Sequence, residues 1–187
     1  MKKLLTACII TLFTVVSIAP NLTDLQRKDL NKRLWIEHLR LKYEVELTRF
    51  TNYLGFKESR NNWMAINSIG YFGEWQFGRR ALKHLGYGHI TLSKFKTDPS
   101  IFPRDLQLKV LKDLMKINSI YLKEYECFIG TAIKGTIISK AGMLAAAHLG
   151  GAGSVKLYLM SIGKIDRKDL YGTRVSDYFR EFSMYNL

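Results

Sequence analysis

Apolar residues recur between Ile36 and Leu54 at steps of three, four, four, three and four: Ile36, Leu39, Tyr43, Leu47, Phe50 and Leu54. That period fits one face of an α-helix and does not alternate as a strand would. Glu58 is the next member of the same stripe. In a helix that runs through Gly55, at a cost of roughly 1 kcal/mol relative to Ala, Glu58 leaves the core-facing side. A carboxyl desolvated there stays protonated at neutral pH, as a general acid must be. Taken alone, an acid near a helix end is ordinarily a solvated charge, and Lys57 and Arg60 suit that reading.

Helical patterns continue through most of the chain. Leu85 and Gly86 end a short helix, and Asp98 with Pro99 marks a turn before a helix carrying Leu106, Val110 and Leu114. Gly130 and Gly135 flank a short apolar piece, an extended strand or a loop. Ala141, Leu144, Ala145 and His148 share one helical face, and Val155, Tyr158, Leu159 and Ile162 make another stripe, closed by Gly163. Ser176 or Asp177 is a candidate cap for a last helix. The expectation is therefore a mainly α domain with at most short strands.

The densest chemistry follows Glu58, in ESRNNWMAINSIGYFGEWQFG. Gly70 and Gly73, around Tyr71 and Phe72, read as a tight turn where backbone comes close to something. Gln76 lies between Trp75 and Phe77, so if buried its amide needs partners. Glu74 is a second carboxylate beside the proposed site, open as a solvated loop charge, a sugar-binding group or a second catalytic residue. Ser59 directly follows Glu58, with Ala65, Gly70, Gly73 and Gln76 at offsets of seven, twelve, fifteen and eighteen. These offsets resemble the signature of the lytic transglycosylases, lysozyme-like enzymes that cleave peptidoglycan. Where Leu-Met is usual before the Gln, this chain has Glu74-Trp75.

A second constellation, AGMLAAAHLGGAGSVKLYL, carries the resemblance further. Family members often show Ala-Tyr-Asn-Ala-Gly with Val four residues on, and Ala147 to Gly151 followed by Val155 fits that register. His148 stands in the Tyr position and Leu149 in the Asn position. A histidine on such a face is ordinarily a satisfied core residue, and the resemblance makes it a candidate cleft residue. The resemblance implies an α+β lysozyme-like helical bundle around a glycan cleft. It also implies catalysis by Glu58 as the single acid/base, and substrate contacts from Ser59, Tyr71, Glu74, Gln76 and His148. The bond cleaved would join N-acetylmuramic acid to N-acetylglucosamine, leaving a 1,6-anhydro end. A hydrolytic muramidase and a catalytically silent wall-binding module are the alternatives. No metal or organic cofactor is required.

The first nineteen residues bear on localisation. Lys2 and Lys3 precede an uncharged stretch from Leu4 to Ala19, the layout of a secretory signal, with an uncleaved inner-membrane anchor as the alternative. Those sixteen residues are short against the roughly 20 that span a bilayer. Residues 20–42 read as a charged extra helix and 43–187 as the lysozyme-like domain. If Cys8 leaves with the leader, Cys127 remains alone and no internal disulfide forms. The formal charge of +13 falls to +11 without Lys2 and Lys3. A basic exported protein meets anionic envelope polymers first. Peptidoglycan strands in the periplasm or cell envelope are the expected partner, with membrane association only through the N-terminus. The charges are spread along the chain with no nucleic-acid motif, so nucleic acid is not expected, and a monomer is.

Overall fold

The structure, a computed structural model, describes residues 22–187. The signal or anchor reading of residues 1–19, with Cys8, lies outside the described residues. The chain divides into two units, Met1–Glu46 and Leu47–Leu187.

Helix α1 spans Asp24–Ser59. It opens on a reciprocal cap: Thr23 Oγ1 accepts from the Gln26 N–H at 3.3 Å, and Gln26 Oε1 accepts from the Thr23 N–H at 2.9 Å. In the first unit Arg33 pairs with Asp29 and Arg40 with Glu37 along the helix surface. Here the stripe departs from expectation, because Ile36, Leu39 and Tyr43 are exposed. At 100° per residue Leu30, Leu34, Leu41 and Val45 fall on the side opposite to Ile36 and Tyr43, so this segment has no single apolar face to bury.

In the second unit the same stripe does what its period implies: Leu47, Phe50 and Leu54 are buried. After α1 come α2 (Arg79–His84), α3 (Leu92–Thr97) and α4 (Arg104–Leu122), with a 3-10 turn at Pro99–Ile101. A second 3-10 stretch, Lys123–Phe128, leads to strands β1 (Ala132–Ile133) and β2 (Thr136–Ile137), then to α5 (Lys140–Met160) and α6 (Val175–Phe182). The unit is mainly helical, and its sheet is one antiparallel hairpin pairing Ala132 with Ile137 and Ile133 with Thr136. The apolar piece between the glycines thus holds the first strand of a hairpin, whose second strand follows Gly135. Its two central residues, Lys134 and Gly135, both take positive φ (48° and 77°), as a type I′ turn requires.

The core gathers Phe50, Leu54, Trp75, Phe77, Phe95, Phe102, Val110 and Leu111 with the apolar faces of α5 and α6. The small residues of α5 let α6 come close, since a Cβ on Gly142 would sit 3.1 Å from the Phe179 carbonyl oxygen. α5 is broken at Gly151, whose φ of 76° and ψ of 157° lie outside the helical region. In α4 the buried face runs through Gln107, Val110, Leu111, Met115 and Asn118, leaving Leu106 and Leu114 half-buried. Neither candidate is the N-cap of α6. Arg174 takes that place, just before Val175, and Asp177 reaches back to accept its N–H at 2.9 Å. Asp166 accepts from Ser176 through both the N–H and the hydroxyl. Among the described residues no helix is long and apolar enough to cross a membrane.

Candidate functional site

A cleft of about 570 Å³ opens in the second unit, lined by Glu58, Ile69, Tyr71, Gln76, His148 and Ser154 together with residues 167–171. Each wall has a local cause. Glu58 lies in the last turn of α1, which ends when Arg60 and Asn61 enter the left-handed region at φ 60° and the Asn61 N–H returns to the Gly55 carbonyl. That stop leaves the Glu58 side chain at the helix end, half-buried, facing the cleft.

Tyr178, on the buried face of α6, donates its hydroxyl to Glu58 Oε1 at 2.6 Å. Burial first, and the Glu58 charge second, push the phenol well above its ordinary range. Tyr178 therefore remains a proton-bearing donor at any pH the fold meets. It fixes one carboxyl oxygen and leaves Oε2 as the atom available for chemistry. Sequence reasoning passed over this residue. The signal was a tyrosine on the apolar stripe Val175, Tyr178, Phe179 and Phe182, where a buried hydroxyl needs a polar partner.

The loop after α1 supplies the opposite wall. Gly70 and Gly73 take φ of 86° and 85°, so the expected turn is present. What Gly73 approaches is protein: a Cβ there would lie 2.6 Å from Gln107 Oε1. Gln107, fully buried on α4, accepts the Glu74 N–H at 2.6 Å and donates to the Trp63 and Phe102 carbonyls. Gln76 has a positive φ of 49°, and its amide donates to the Gly73 carbonyl at 2.8 Å while the residue lines the cleft. Tyr71 also lines the cleft, packed so closely over Gly78 that a Cβ there would meet its ring at 2.6 Å.

Glu74 is not a solvated loop charge. It is 0% exposed, and Arg104 grips it through Nε to Oε2 at 2.6 Å and Nη2 to Oε1 at 2.9 Å. The pair fits beneath α1 because position 55 has no side chain: a Cβ on Gly55 would sit 2.8 Å from Glu74 Oε1. A bidentate charge-assisted pair of this kind holds a carboxylate in place. Glu74 is absent from the cleft lining, as is Ser59. Ser59 Oγ donates to the Glu74 carbonyl at 2.8 Å and accepts the Asn62 N–H, so it fastens the loop to α1. Of the expected substrate contacts, then, the structure brings Tyr71, Gln76 and His148 to the cleft with Glu58, and sets Ser59 and Glu74 behind it.

His148 is half-buried on α5, with Nε2 2.8 Å from the Trp75 carbonyl. An acceptor there makes Nε2 the donor, which leaves Nδ1 of the neutral ring as an acceptor. Nδ1 is buried and has no partner. The remaining wall, residues 167–171, was not singled out by sequence reasoning; Tyr171 Oη lies 2.8 Å from Ser68 Oγ of the first loop. Among the described residues no group of three metal-ligating side chains converges. Chemically, the arrangement presents the Glu58 and Asp169 carboxyl groups, the Gln76 amide and the exposed Tyr71 ring to a ligand in the cleft, with both His148 nitrogens turned to the protein. No family model, curated protein or solved structure matches this chain.

Proposed function

We propose that this protein is a lysozyme-like peptidoglycan lytic transglycosylase, exported to the cell envelope, with Glu58 as its acid/base. The observation that carries the reading is the Glu58 carboxyl: it lines the cleft with one oxygen held by Tyr178 and the other available. The sequence offsets from Glu58 to Gln76 support the same reading, as does a cleft wall that combines Tyr71, Gln76 and His148.

In this reading Glu58 gives its proton to the oxygen that leaves with N-acetylglucosamine as the bond to the muramoyl anomeric carbon breaks. The N-acetyl carbonyl oxygen of the muramoyl residue closes on that carbon, which substitutes for a second carboxylate. Glu58, now ionised, takes the proton of the muramoyl 6-hydroxyl as that oxygen displaces the N-acetyl group, forming the 1,6-anhydro ring. The burial of Glu74 against Arg104 removes that acid as the second carboxylate of a hydrolytic route, and leaves Asp169, with Oδ1 held by the Tyr171 and Thr173 amides, as the other carboxylate of the cleft lining.

Mass spectrometry of glycan strands digested by the protein tests the proposal. Anhydro-muramoyl ends are expected, reducing ends would indicate hydrolysis, and no cleavage would indicate a binding module. Glu58→Gln should lose about 10²–10⁴-fold in lytic rate, the usual worth of a positioned acid/base, while still binding glycan. Equal lysis by the variant and the wild type would sink the assignment.

A further inference from the structure

The loop between α5 and α6 places two cations, Arg167 and Lys168, on the cleft wall. Of its two acids, Asp166 is occupied away from the cleft, and Asp169 lines the same wall with one oxygen held. Asp166 accepts from Ser176 at 2.7 Å and 3.1 Å and lies 3.9 Å from Arg174. Asp169 Oδ1 accepts the Tyr171 and Thr173 amides at 2.9 Å and 2.8 Å. The backbone is pinned as well, with the Val175 N–H on the Arg167 carbonyl and a bridge from Lys168 to Arg174. Among the described residues no carboxylate lies within ion-pair distance of either Arg167 or Lys168. The loop is thus held without those two side chains, which are exposed and free to meet a ligand.

An N-acetylhexosamine ring is neutral, so it offers the two cations hydrogen-bond acceptors but no opposite charge. A muramoyl residue differs from its neighbour by a lactyl ether, which carries a carboxylate itself or leads to a peptide that carries several. Guanidinium and ammonium groups beside the cleft match that difference in sign and in hydrogen-bond donors. Resting on the glycan reading above, we propose that Arg167 and Lys168 form a carboxylate-binding edge that selects glycan bearing an acidic substituent on alternate sugars over neutral glycan.

Titration calorimetry on the full chain with three probes tests this: a neutral N-acetylglucosamine oligomer, a peptide-free muramoyl oligomer and a peptide-bearing one. Wild-type protein should prefer at least one acidic probe over the neutral one by about tenfold at low salt, the preference shrinking as salt screens it. Whichever acidic probe gains more identifies the lactyl or the peptide carboxylate as the group recognised. The Arg167→Gln/Lys168→Gln variant should keep wild-type affinity for the neutral oligomer and a wild-type Tm, and lose the preference. Equal wild-type affinity for neutral and acidic probes, or a preference that survives in the variant, overturns the inference while the glycan reading stands. Binding of none of the three overturns the glycan reading, and this inference with it.

Discussion

Replacing Arg104 with Met leaves the Glu74 carboxylate buried with no cation to answer it. Glu74 is 0% exposed and both of its oxygens are held by Arg104, at 2.6 Å and 2.9 Å. Breaking a buried ion pair from one side costs about 3–5 kcal/mol. The Arg104 side chain is 45% exposed, however, so water can enter where it leaves and relieve part of that penalty. A loss of about 2 kcal/mol is the expected result once solvent screening is counted. For a domain of this size that corresponds to a fall in Tm of about 4–8 °C. Urea unfolding followed by circular dichroism reads it directly, and adding Glu74→Gln to Arg104→Met should restore part of the loss, because a neutral amide is less costly to bury than a carboxylate. Lytic rate measured well below the Tm should fall less than tenfold, since Glu74 does not line the cleft, in contrast with Glu58→Gln. A stability within about 0.5 kcal/mol of wild type, the range for ordinary surface substitutions, would refute the reasoning and return Glu74 to the status of a solvated charge.

Gly73→Ala should destabilise by about 2–3 kcal/mol in the same unfolding assay, because φ is 85° and the new Cβ would lie 2.6 Å from a buried amide oxygen; a neutral effect would mean that the Gly73–Gln107 approach is not a real constraint. Tyr178→Phe should cost about 1 kcal/mol near neutral pH through its lost hydrogen bond to Glu58. Its pH dependence has a definite sign. The native state keeps the Tyr178 proton that the unfolded chain releases near pH 10, so this contribution is fully present below about pH 10 and lost above it, by up to about 1.4 kcal/mol per pH unit. Urea midpoints between pH 9 and 11.5 should therefore fall less steeply in the variant, and identical slopes would count against a buried, proton-bearing Tyr178.

The parts of this fold readable from sequence were those that a period alone decides. Leu47, Phe50 and Leu54 are buried where a helical stripe puts them, and the stripe's next member does reach the cleft. Ile36, Leu39 and Tyr43 obey the same period and are exposed, because periodicity reports a face and says nothing of what covers it. Gly70 and Gly73 were legible as a turn, since a positive φ favours glycine; that Gly73 yields to Gln107 was not, because the partner lies on another helix. Pairing across long separations was the main thing hidden. Arg104 meets Glu74 across 30 residues and Tyr178 meets Glu58 across 120, and no local pattern encodes either contact.

The Glu74-Trp75 pair gains a physical explanation from those hidden contacts. Two consecutive residues, Glu74 and Trp75, tie the loop to the helices α1, α4 and α5. Glu74 joins it to α4 through Arg104 and Gln107, and to α1 through Ser59. Trp75, fully buried, donates its indole N–H to the Thr51 carbonyl of α1 at 2.9 Å and offers its own carbonyl to His148 of α5. Gln76 then turns back on Gly73 and faces the cleft. An apolar pair at 74 and 75 could fill the same space by packing, but it could not accept the Arg104 guanidinium or hold Thr51 by an indole N–H. Glu74 and Trp75 thus anchor the loop, and the Glu74 carboxylate acts by fixing where Gln76 and His148 stand. It follows that Arg104→Met should disturb the cleft through its geometry, raising KM for glycan more than it lowers kcat, whereas loss of a second catalytic acid would lower kcat with KM little changed.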